Sequence, residues 1–168
     1  ESEQWYKDLS TGEFKLAKQM KWYDSFSISG FNYAGKNPDE AYVVTNLDSD
    51  KARIVLYDFK KNAIVKEVFS NPEYDATSMS RSRKRNYEID YFAYEGEKYI
   101  IKPVSKFYKN FTKQMTKAFP GKECHIVATD DDENTLLLVV QSDKLYGTYY
   151  QYDTKTRKFS LLYDLMPQ

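Results

Sequence analysis

The chain contains one histidine, His125, and its one cysteine, Cys124, sits beside it. A thiol next to an imidazole is a minimal set for a nucleophile–base pair or the start of a metal site. Residues 125–129 read as a strand, however, and neighbours on a strand point to opposite faces. The two side chains therefore cannot converge on one ion or one substrate. An ordinary strand histidine beside a buried cysteine fits better. The run Asp130-Asp131-Asp132-Glu133 lacks the alternating ligands, central glycine and terminal glutamate of a calcium loop, and reads as a solvated acidic turn. Arg81, Arg83, Lys84 and Arg85 concentrate positive charge within residues 78–86. A nucleic-acid patch needs more basic surface and interleaved aromatics, so this stretch reads as a solvated hairpin turn. Asn110-Phe111-Thr112 fits a glycosylation sequon but falls in an expected helix, where it reads as a chance occurrence. No Gly-x-Ser-x-Gly elbow, glycine-rich phosphate loop, HExxH or CxxC pair occurs. The sequence thus assigns no catalytic, cofactor-binding or metal-ligating residue and asks for no cofactor.

The bulk composition narrows the class. A length of 168 residues suits one domain or part of one. Twenty-five basic residues balance 25 acidic ones, which removes the electrostatic case for nucleic acid or an anionic membrane as partner. No apolar run approaches the roughly 20 residues of a membrane span. Tyrosine alone counts 16 residues, and this wealth of aromatics favours β-structure with large buried side chains. The chain opens Glu1-Ser2-Glu3-Gln4 without a leader, which leads us to expect an excised or processed chain. A single cysteine precludes an internal disulfide.

The elements follow a repeat. At residues 147–162 a tyrosine-rich strand runs into Asp153, crosses a polar turn and returns through Lys158, Phe159, Ser160 and Leu161. The same phrase occurs near residues 5–18, around Tyr6 and Asp8, and near residues 53–69, around Tyr57 and Asp58. The aspartates are separated by about 50 and about 95 residues, the second gap being close to two periods of about 48, as in β-propeller blades. The double gap predicts an overwritten copy near residue 105. Residues 104–119 do break the strand pattern. Phe107, Phe111, Met115 and Phe119 recur every fourth residue, with Tyr108 and Ala118 beside them, on one face of an amphipathic helix. Ser105 can cap its start, and Pro120-Gly121 ends it. Elsewhere short strands follow one another with polar turns, as in antiparallel meanders. The expected fold is all-β: about three to four antiparallel four-stranded propeller blades, with one inserted helix.

The tail of the chain resembles a known family. Phe119-Pro120-Gly121-Lys122, an acidic turn, an apolar strand, Gln141-Ser142-Asp143, Gly147-Thr148-Tyr149-Tyr150-Gln151-Tyr152-Asp153 and Phe159-Ser160-Leu161-Leu162 resemble a late propeller blade of the prolyl oligopeptidase family. The resemblance is to its dipeptidyl and acylaminoacyl peptidase-like bacterial members. Upstream, Tyr42 to Asp50, Ile54 to Asp58 and Val68 to Asp75 look like further motifs of that family in the same order. There are departures: Gln141 stands where serine is usual, Lys144-Leu145-Tyr146 replaces a proline before Gly147, and Gln151 replaces leucine.

The resemblance implies a non-catalytic propeller segment that gates substrate access to an α/β-hydrolase domain of a serine peptidase. That domain, with its Ser, Asp and His triad, is expected after Gln168. It also implies peptide substrates, and a bacterial cytoplasm or periplasm as the compartment. Three and a half blades are fewer than the four to eight of a closed ring, so homodimers through open strand edges, or a collapsed sandwich-like arrangement, are expected. A rival reading is an independent TolB-like propeller module that binds proteins. A weaker rival is a small stand-alone enzyme, against which the missing elbow and the strand-borne His125 argue.

Overall fold

The computed structural model describes residues 1–165 and divides them between two compact units. The first comprises Glu1–Arg81 and Asn86–Val104, and the second comprises Ser82–Arg85 with the chain from Ser105 onward. All sheets are built of neighbouring antiparallel strands.

In the first unit, β1 (Ser2–Lys7) and β2 (Phe14–Met20) form a hairpin. A four-stranded meander follows, of β3 (Phe26–Phe31), β4 (Glu40–Thr45), β5 (Arg53–Asp58) and β6 (Ala63–Phe69). Then come three strands, β7 (Ala76–Ser82), β8 (Glu88–Glu95) and β9 (Tyr99–Pro103). The central meander is buried on both faces, because side chains alternate along a strand. Ala41, Val43, Val55 and Tyr57 form one core with Ala17 of the hairpin. Ile54, with Val44 and Phe69 beside it, forms another with Ala76 and Phe92 of the three-stranded sheet. There the Phe69 and Phe92 rings stack 4.7 Å apart. Apolar sheets stacked face to face through such layers are how blades adhere.

Gly30 permits one close approach between these sheets. Its φ of 131° lies in a region that L side chains rarely adopt, and an added Cβ would come within 2.5 Å of the Arg81 guanidinium. The open space lets Arg81 donate to the Phe31 carbonyl at 2.8 Å and lie over the Tyr42 ring. Residues 78–82 belong to β7, paired with β8, which corrects the expectation of a solvated turn over residues 78–86. Only Ala76 and Met79 are apolar in Ala76–Ser82, three residues apart, so the strand left no alternation to read.

In the second unit, α1 (Lys106–Ala118) is followed by a four-stranded meander. Its strands are β10 (Glu123–Thr129), β11 (Thr135–Ser142), β12 (Leu145–Asp153) and β13 (Lys158–Asp164). Ser105 caps the helix by accepting a hydrogen bond from the Tyr108 N–H. Tyr108, Phe111 and Met115 are buried, as the stripe predicts, whereas Ala118, the last residue of the helix, is exposed. Leu136, Leu138 and Val140 bury the corresponding face of β11. The Tyr152 hydroxyl donates to Gln114 at 2.5 Å, and the Phe119 ring sits 5.2 Å from that of Phe159. In chain order, α1 comes where the two complete sheets add a fourth strand.

Candidate functional site

The aspartates that mark the repeat, Asp8, Asp58 and Asp153, occupy equivalent places in the fold. Each ends or directly follows a strand and uses its carboxylate to hold the turn that follows. Asp8 Oδ1 accepts from the Ser10 N–H, Asp58 Oδ1 from the Lys61 N–H, and Asp153 Oδ1 from the N–H groups of Lys155 and Thr156. Four residues after each aspartate the chain turns through a left-handed conformation, at Gly12, Asn62 and Arg157. These are aspartate-capped hairpin turns. Their carboxyls all titrate below the usual range. For Asp8 the Lys15 ammonium, 2.7 Å away, is the main cause. For Asp58 burial opposes ionisation, but the Lys61 N–H, the Lys61 ammonium and the Asn37 amide outweigh it. For Asp153 it is the hydrogen bonds from Thr156. The repeat thus carries turn geometry, not reaction chemistry.

Cys124 and His125 do not act together. In the β10–β11 pairing Cys124 lies opposite Val140 and His125 opposite Val139, on alternate faces. Burial pushes the Cys124 thiol up to about 12. So high a value leaves almost no nucleophilic thiolate at neutral pH. His125 Nε2 lies 3.7 Å from the Glu123 carboxylate on its own strand. Among the described residues no group of three or more His, Cys, Asp or Glu side chains converges as a metal site would require.

The basic and acidic turns are not both left to solvent. Arg85 Nε donates to Glu133 Oε2 at 2.9 Å, Ser82 Oγ donates to Glu133, and the Arg85 guanidinium lies over the Phe107 ring. Burial works against the Glu133 charge, but Arg85 and Ser82 outweigh it and hold the carboxyl below its ordinary value. Arg83, Lys84, Asp130, Asp131 and Asp132 are the exposed charges of the two turns. Asn110 is exposed on α1, while the Thr112 hydroxyl donates to the Tyr108 carbonyl.

A concave feature lies in the first unit, and apart from Tyr6 and Asp8 the sequence did not single out its lining residues. A cleft of about 670 Å³ opens between the turn after β1, the β3–β4 connection and the turn after β5. Tyr6, Phe31 and Phe59 form its aromatic floor, with Phe59 centroids 5.3 Å from Tyr6 and 6.1 Å from Phe31. Leu9 and Tyr33 stand exposed at its edge, 88 % and 63 % accessible. Lys7, Lys36 and Lys60 add positive charge. Each of these aromatics ends or follows a strand. Read singly, they look like ordinary strand formers, and no spacing marks them as neighbours. A second cavity, of about 130 Å³ between α1 and β11–β12, is lined by Gln114, Leu136, Tyr152 and Arg157 among others.

The backbone is similar to that of a chain described in a structural and mechanistic analysis of two prolyl endopeptidases, concerned with inter-domain dynamics in catalysis and specificity. The TM-score is 0.57 at 17 % identity, over 98 % of this chain. The chain spans 24 % of that structure's length, and at this identity the likeness is one of fold. No family model and no curated protein matches the sequence.

Proposed function

We propose that this chain is a propeller segment of a serine peptidase of the prolyl oligopeptidase family, of the dipeptidyl or acylaminoacyl type. In this reading it is a non-catalytic wall that limits access to an α/β-hydrolase domain of the same polypeptide. The observation that carries the reading is the backbone likeness to a prolyl endopeptidase over 98 % of the chain. The sequence motifs point independently to the same family. The local chemistry agrees, since the repeated aspartates are consumed in turns and the Cys124 thiol is kept protonated. A wall needs stiff stacked sheets, and the double-faced burial of β3–β6 supplies them.

The test compares residues 1–168 with the whole polypeptide of the parent gene, using dipeptidyl and acyl-aminoacyl chromogenic substrates. The expected result is hydrolysis by the whole polypeptide alone, abolished by a serine-directed phosphonate. A well-folded whole polypeptide that hydrolyses nothing overturns the peptidase reading. It would favour the second reading, an independent protein-binding propeller module, for which the exposed aromatic cleft is the supporting observation.

A further inference from the structure

The cleft of the first unit combines three properties that together select a ligand. Its volume, about 670 Å³, falls within the roughly 300–1,000 Å³ of small-ligand and side-chain pockets. Its floor is aromatic, and its rim keeps Tyr33 and Leu9 largely in water. Large apolar side chains held in water next to a concavity mark an interaction surface. Its charge is one-sided. Lys7, Lys36 and Lys60 come from three separate segments: the end of β1, the β3–β4 connection and the turn after β5. No ion pair engages Lys36 or Lys60 among the described residues, and Lys7 lies near the Phe14 ring at 5.7 Å. Of the two carboxylates in the lining, Asp8 is neutralised by Lys15 at 2.7 Å, which leaves Asp39 against three ammonium groups.

We infer that this cleft binds an extended peptide segment carrying an aromatic or large aliphatic side chain between acidic residues. The side chain packs on the Phe31 and Tyr33 rings, 40 % and 63 % accessible, above the buried Phe59. Flanking carboxylates meet the lysines. A lysine is a mobile point charge on a long stem, so it suits carboxylates of variable spacing better than a fixed bidentate site would. The inference does not rest on the peptidase reading, because it concerns binding at a surface and asks for no hydrolysis.

Titration calorimetry on residues 1–168 tests it. The probe is an acetyl-capped pentapeptide amide with phenylalanine between two pairs of acidic residues. The expected dissociation constant is about 10–100 µM at low salt, rising steeply with ionic strength. A Lys36→Glu/Lys60→Glu double variant and a Tyr33→Ala variant should each weaken binding by about tenfold or more. All three side chains are exposed, so both variants keep the fold, which their melting curves verify. A control peptide with lysines in place of the acidic residues should not bind. Absence of heat at millimolar peptide, or affinity unchanged in the variants, overturns the inference. So does concentration-dependent dimerisation that Tyr33→Ala abolishes, because that outcome assigns the cleft to a second copy of the chain.

Discussion

Asp58 shows how one residue type can look chemical and act structurally. It is 1 % exposed, accepts from the Lys61 N–H at 2.9 Å and from Asn37 Nδ2 at 3.0 Å, and pairs with the Lys61 ammonium at 3.3 Å. Removing a buried acceptor strands its donors, so Asp58→Ala should cost about 2–3 kcal/mol in denaturant unfolding. Asp58→Asn keeps one acceptor oxygen for the Lys61 N–H and should cost less than half as much. Equal losses would show that the charge, not the turn bond, carries the effect. Arg157 carries the opposite lesson. Its φ of 59° places a branchless but Cβ-bearing residue in the left-handed region, where Gly12 stands in the first copy of the turn. Its side chain is exposed. Relief of the backbone strain exceeds the added freedom of the unfolded chain, so Arg157→Gly should stabilise by about 0.5–1 kcal/mol. A lower melting temperature would mean that the arginine side chain contributes more than the strain costs.

At the level of elements, the helix is the feature that departs from the repeat. Ser105 is 3 % exposed and holds the Tyr108 N–H, so its loss opens the first turn of α1 next to buried Phe111 and Met115. Ser105→Ala should cost about 1 kcal/mol, and Ser105→Asp should restore most of it, since aspartate caps as well and favours the positive end of the helix dipole. Circular dichroism melts of the two variants measure this directly, and equal destabilisation by both would remove the cap from the account. The contrast with β7 is instructive. A four-residue apolar stripe announces a helix whatever it packs on, whereas Ala76–Ser82 is a strand through its pairing with β8, and its Arg81 reaches a carbonyl and two tyrosine rings.

For the molecule as a whole, pH is the variable that reaches many sites together. Asp8, Asp58, Glu67, Glu133 and Asp153 all titrate below their ordinary values in the fold. A carboxyl whose folded pKa is depressed adds stability that is fully present above its unfolded value. That stability is lost as pH falls through the folded one. The melting temperature should therefore hold from about pH 8 to about pH 5 and fall progressively below about pH 4. A flat profile to pH 3 would deny the turn aspartates their role.

The sequence by itself determined the local grammar: the aspartate-capped turns, the strands that follow them, the helix over residues 104–119 with its Ser105 cap, and the all-β class. Each of these is decided within a few residues by hydrogen bonds to neighbouring backbone or by side-chain periodicity, so it is written in the order of the chain. The tertiary structure alone decided that β7 is a strand, that Arg85 and Glu133 pair across 48 residues, and that Tyr6, Phe31, Tyr33 and Phe59 share one cleft. Those facts depend on which sheet faces which, and a strand that alternates correctly says which side is buried without saying against what.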